Sequence, residues 1–265
     1  MMCVFDCETI PDVELLRRLW GLEGEDLSVC EAAFARQAEQ SGSTFLPYPF
    51  HKIVSIAAVI ADDHGRFVKV GCFKQGEEER EILGAFLHYL NAKQPRLVSF
   101  NGRGFDLPMM LLRAMKYNLS AQAYFEVENP AHNKSKWANY RQRYSEQFHL
   151  DLYDTLGNYG ANRSFRLDSV CAMSGLPGKY DVHGDEVYRL YFEDKQAQID
   201  EYCESDVLNT YWLCLKYELL SGNLSLKEYG EHLEALAANL PKDRGYSEIF
   251  LQYIQNELDS YEFQP

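Results

Sequence analysis

The sequence predicts an α/β protein: a mixed β-sheet flanked by helices, with a helical C-terminal part. Three observations predict it. The chain opens on an apolar run through Cys3, Val4 and Phe5 that reads as a central strand. Two further apolar strands follow across a hairpin turn, which makes them antiparallel neighbours. The second half then turns to amphipathic helices, and strands giving way to helix, strand and helices suggest one layered domain.

Taken in order, the first strand passes through Ile10-Pro11-Asp12 into a helical pattern at Leu15, Leu16, Leu19 and Trp20. Residues 21–46 are polar and acidic, with a second amphipathic piece around Val29, Ala33 and Phe34. They read as an insertion between the first two strands, closed by the chain break Pro47-Tyr48-Pro49. Ile53 to Ile60 is strongly apolar, and Asp62-Asp63-His64-Gly65 turns it into a third strand, Phe67 to Phe73. Residues 77–91 carry Ile82, Leu83, Phe86, Leu87 and Leu90 at helical spacing behind an acidic entry. Arg96 to Phe100 is a fourth strand. Helices are expected over about 106–117, 151–159, 166–174, 196–220 and 226–239, with a last one near 246–259. Residues 1–220 read as the main domain and 221–265 as a helical C-terminal extension, which either docks a protein partner or completes the core.

Composition narrows the function. At 265 residues and 46% hydrophobic content the chain can bury a substantial core. A formal net charge of −14 argues against gripping long duplexes by phosphate neutralisation, yet leaves room for a site whose metal ions supply positive charge locally. The seven cysteines form no CxxC pair, as in a reduced intracellular protein. No apolar run reaches membrane-spanning length, and the first strand leaves no room for a signal peptide. The expectation is a soluble cytoplasmic protein with no membrane partner.

Chemistry concentrates at three places. Asp6 and Glu8 occupy alternate positions of the first strand and project from one face. Two such charges repel unless a cation lies between them, and paired carboxylates suit a hard divalent metal. The alternative is a solvated strand end; the position at the end of a central strand favours the site. After the fourth strand, Asn101-Gly102-Arg103-Gly104-Phe105-Asp106-Leu107-Pro108 makes a glycine-eased passage into a helix, with Asp106 at its start. Taken alone, Asp106 is better read as an N-terminal helix cap and no more. Far downstream, Tyr202 and Asp206 stand four apart and share a helix face. His51, His64, His149 and His183 do not cluster at ligand spacing, and His149 reads as a packing residue.

Asp-x-Glu, then Asn-x-x-x-Phe-Asp, then Tyr-x-x-x-Asp, in that order, resemble the three motifs of the DnaQ-like (DEDD) 3′–5′ exonuclease superfamily, which has an RNase H-like fold. Tyr202 in the third motif points to the DEDDy branch. Asn101 to Pro108 looks like the second motif of the B-family DNA polymerase proofreading domains. Phe148 to Asp154, Gly175 to Lys179 and Tyr202 to Thr210 are similar to the stand-alone family related to the PolB exonuclease domain. The resemblance implies that Asp6, Glu8, Asp106 and Asp206 hold two Mg²⁺ or Mn²⁺ ions and that Tyr202 positions the attacking water. It also implies that Thr9, Asn101 and Phe105 contact the terminal nucleotide; separately, Lys179 in its Gly-Lys pair is a weaker candidate for a phosphate contact, against the commoner reading of a plain turn. The partner is then a single-stranded 3′ end, DNA favoured over RNA; the alternatives are an exoribonuclease of the same superfamily and an inactive interaction module. The basic and aromatic stretch 129–147 is a candidate guide for the strand, with Lys134, Lys136, Arg141 and Arg143 tracking phosphates and Trp137 and Tyr140 as stacking platforms; a plain surface loop is the even alternative.

Overall fold

A computed structural model describes residues 1–178, 184 and 186–261. Among them, strands β1 (Met2–Pro11), β2 (His51–Ala61), β3 (Phe67–Cys72), β4 (Arg96–Ser99) and β5 (His149–Asp151) form one sheet in the order β3-β2-β1-β4-β5. β2 runs antiparallel to both β1 and β3, while β1, β4 and β5 are parallel. This is the mixed sheet that the hairpin and the later strand–helix alternation led us to expect. β5 was not anticipated: at three residues it is too short to show a period of two.

The helices are α1 (Val13–Trp20), α2 (Asp26–Ser41), α3 (Glu79–Lys93), α4 (Asp106–Lys116), α5 (Gln122–Phe125), α6 (Leu152–Leu156), α7 (Leu167–Met173), α8 (Val187–Phe192), α9 (Gln196–Leu220), α10 (Leu226–Asn239) and α11 (Gly245–Tyr261). The helix expected over 151–159 stops at Leu156, because Asn158 and Tyr159 adopt positive φ of 49° and 54°, which no α-helix accommodates. The six-residue α8 was not expected.

Parity along β1 sorts the core. Its odd residues Cys3, Phe5 and Cys7 pack with Phe86 and Leu87 of α3 and Met109 and Met110 of α4. Its even residues Met2 and Val4 face the other layer, with Val207, Leu208 and Tyr211 of α9. Helix α9 is buried on all sides between Tyr202 and Leu215, as befits a helix covered by the sheet beneath and by other helices above. Tyr229, Leu233 and Leu236 of α10 and Tyr246, Phe250 and Ile254 of α11 join this same cluster, and Trp212 Nε1 donates to the Tyr229 hydroxyl at 2.8 Å. α1 and α2 close a smaller cluster around Leu16, Val29, Ala33, Leu46 and Phe50.

Candidate active site

The site begins where two strands part. β1 pairs with β4 only from Met2 to Val4, whereas its pairing with β2 continues to Pro11. Asp6 and Glu8 therefore lie on a strand held along one edge and open along the other. They have the parity of Met2 and Val4, so both face α9. The β1–β2 register shifts between Glu8 and Thr9, a bulge that leaves Val54 without an opposite number. Val54 offers its carbonyl instead to Gln196 Nε2 at 3.0 Å, which ties the first turn of α9 to the sheet.

Helix α9 brings the partner group. Asp6, Glu8 and Asp206 each present a carboxylate oxygen, and these atoms all lie within 4.8 Å of one another. Asp106 arrives at the first turn of α4, 4% exposed, and stands beside the trio. Its carboxylate accepts from the Cys7 thiol at 3.0 Å. Burial, and then the charges of Asp106, Glu8 and Asp206, hold the Asp6 carboxyl well above its ordinary range. Burial likewise raises Asp106. Crowded carboxylates from three chain-remote segments, destabilised as anions and rich in hard oxygen, fit a divalent cation. Tyr202 is 3% exposed and hydrogen-bonds Asp206; burial, followed by the Asp206 charge, raises its phenol.

A single side chain arranges the loop before Asp106. Asp151 accepts the backbone N–H groups of Asn101 (2.9 Å) and Arg103 (2.8 Å), and those of Tyr153 and Asp154 at the start of α6. A Cβ at Gly102 would collide with the Ser99 side chain, and one at Gly104 with that of Asn101, so the turn requires both glycines. Asn209, one turn beyond Asp206, clasps Gly178 through both amide atoms (3.0 and 2.7 Å).

Two cavities flank the carboxylates. One of about 210 Å³ lies between Asp6, Tyr202 and Asp206, with Phe100 and Arg166 on its walls. The other, about 620 Å³, runs from Glu8 and Thr9 to Phe105, and the 21–46 stretch contributes Phe34, Thr44, Phe45 and Leu46 to it. Phe45, 53% exposed, stands 5.2 Å from the Phe105 ring and 5.1 Å from His51. His51 Nε2 donates to the Leu46 carbonyl and its Nδ1 accepts from the Thr9 hydroxyl, both at 2.9 Å. The sequence did not single out Phe45 or Arg166, weighed His51 only as a histidine outside any ligand cluster, and held Asp151 only within the run Phe148 to Asp154.

Thr9 and Phe105 thus share one cavity with Glu8, but Asn101 opens onto a different cleft. Lys179 lies outside the described residues. The 129–147 stretch divides in a way the sequence did not suggest. The Lys134 ammonium is fully buried, donating to the Ala123 carbonyl (2.7 Å) and Glu126 (2.9 Å) beneath the Tyr140 ring. Tyr140 is itself wholly buried, with its hydroxyl on the Pro95 carbonyl. Neither tracks phosphates nor stacks on a base: both anchor the loop. Trp137 and Tyr144 are exposed.

Fold and site together define an α/β protein with a carboxylate centre suited to divalent cations. The chain belongs to the family described as a predicted 3′–5′ exonuclease related to the exonuclease domain of PolB, which matches residues 43–256. That span contains Asp106, Tyr202 and Asp206; Asp6 and Glu8 precede it. Among solved structures, the chain is similar to the family B DNA polymerase from the hyperthermophilic archaeon Pyrobaculum calidifontis, at 16% identity and a TM-score of 0.49. The similarity covers 89% of this chain and 28% of the polymerase chain. No curated protein matches the chain.

Proposed function

We propose that the protein is a metal-dependent exonuclease that hydrolyses the terminal phosphodiester at the 3′ end of single-stranded DNA and releases mononucleotides. The observation that carries this reading is the convergence of Asp6, Glu8 and Asp206 within 4.8 Å, with Asp106 alongside. These four carboxylates are assigned to two Mg²⁺ or Mn²⁺ ions. A bound cation pair supplies the Lewis acidity for in-line attack of water on the phosphodiester.

The protein's own groups do the rest. Tyr202, whose raised phenol keeps its proton, orients the attacking water by hydrogen bonding rather than by taking its proton. Phe105 and Phe45 offer aromatic surface to the terminal base, and Thr9, tied to His51, lines the same cavity. The largely buried setting of the carboxylates limits solvent screening and strengthens their hold on cations.

Purified protein with Mg²⁺ or Mn²⁺ should release mononucleotides from the 3′ end of a labelled single strand. Asp6→Ala and Asp206→Ala should each lose that release, and a chelator should stop the wild type. Persistent activity in both variants would refute the assignment. Matched DNA and RNA oligonucleotides, run side by side, test the sugar preference.

A further inference from the structure

A chain with a formal net charge of −14 gathers four guanidinium groups into one cleft. Arg103, Arg141, Arg143 and Arg163 line a space of about 360 Å³, and among the described residues Asp154 is the one carboxylate on its walls. Asp154 offsets one of the four charges, and the remaining concentration of one sign favours an anionic ligand.

The four are not equivalent. Arg103 donates to the carbonyl oxygens of Tyr140 (3.0 Å), Gln142 (3.2 Å) and His149 (2.9 Å). Arg143 is gripped by both oxygens of Asp154, at 2.8 and 2.6 Å. Arg141 and Arg163 are exposed, and among the described residues neither forms an ion pair. Two charges are fixed in the framework and two are open to a ligand. Tyr124 and Tyr153 supply aromatic surface to the same walls. Nearby in the chain, the exposed Tyr144 stands 4.8 Å from the ring of Tyr159.

Position selects the ligand. The loop 100–105 borders three cavities at once: Phe100 that beside Asp6, Phe105 that beside Glu8, and Asn101 with Gly104 the guanidinium cleft. The cleft is therefore one loop removed from the carboxylates. A ligand spanning both must carry repeated anionic groups and planar rings, which describes a polynucleotide strand. We infer that this cleft holds backbone phosphates of a single strand several nucleotides from its reacting 3′ end. The inference rests on the exonuclease reading for the direction of the strand, and not for the binding itself.

The test compares wild type with Arg141→Gln/Arg163→Gln, using Lys93→Gln/Lys227→Gln as a charge-matched control on other exposed positions. Binding of labelled DNA strands of two and ten nucleotides is followed by anisotropy across a salt series, in the Asp206→Ala background so that nothing is cut. The arginine variant should bind the ten-mer about tenfold more weakly, and its slope of log affinity on log salt should flatten by about 1.4, given roughly 0.7 for each of two phosphate contacts on a single strand. The dinucleotide should show far less change, and the lysine control should keep the wild-type slope. Arg141→Lys/Arg163→Lys should recover part of the slope. An unchanged slope, or equal losses for two and ten nucleotides, would overturn the inference. So would displacement of the ten-mer by poly-glutamate of equal charge at equal potency. Because no hydrolysis is read, a protein that binds in this way but never cleaves would retain the cleft and lose only the proposed activity.

Discussion

His149 is 1% exposed, exchanges a hydrogen bond with the Ser99 hydroxyl at 2.8 Å, and has no partner on Nδ1 among the described residues. Burial, and then the nearby Arg103 charge, push its pKa well below the ordinary 6.5, so the folded protein keeps it neutral. An unfolded chain takes up that proton near pH 6.5 and the folded one does not. The contribution to stability is thus complete above that pH and is lost as pH falls below it, by up to about 1.4 kcal/mol per pH unit. His51 and His232 are shifted the same way, so the informative quantity is a difference between proteins. His149→Gln should show a shallower fall in urea midpoint between pH 6.5 and 5 than wild type, and parallel curves would refute this. At this scale the sequence was partly legible. Aspartates and glutamates at strand and helix positions announce themselves by type, and Asp6, Glu8 and Asp206 do converge. Lys134 and Tyr140 were misread because amphipathic side chains can bury their length as readily as expose it, and only the fold decides.

Among the elements, β1, β2 and α9 could be read because long apolar runs and sustained burial leave a strong period. β5 and α8 could not, being too short to carry one. The function of the 21–46 stretch was equally hidden. Its helix α2 buries Val29, Cys30 and Ala33, and the chain beyond it returns to place Phe45 against Phe105 and His51. A segment that looks like an insertion in the chain is, in space, a wall of the cavity of about 620 Å³ that borders Glu8. Phe45→Ala should raise KM for a single strand by about tenfold while changing kcat little, since stacking on a base is worth roughly 1–3 kcal/mol. Steady-state kinetics at saturating metal provide the check, and an unaltered KM would remove Phe45 from the binding surface.

For the molecule as a whole, α10 and α11 belong to the core. Tyr229, Leu233, Leu236, Tyr246, Phe250 and Ile254 are each at most 1% exposed and share a cluster with Trp212. At about 2 kcal/mol for each large apolar side chain buried, six of them contribute an amount comparable with the entire net stability of a typical domain. Polar contacts add to this: the Glu204 carboxylate on α9 accepts from Arg244 Nε (2.9 Å) and the Tyr246 hydroxyl (2.8 Å). Deletion of residues 221–265 should therefore yield a protein without a cooperative thermal transition by circular dichroism. A sharp melt from the shortened chain would show that residues 1–220 fold alone.

The unequal pairing of β1 has a mechanical consequence. Zipped to β2 along its whole length but released from β4 after Val4, the strand is a fixed jaw: Asp6 and Glu8 cannot spread apart to relieve their mutual repulsion. The opposing pieces are held as firmly, for the helix that bears Asp206 is buried on all sides and Asp151 pins the glycine turn ahead of Asp106, so the repulsion is left for a cation to relieve.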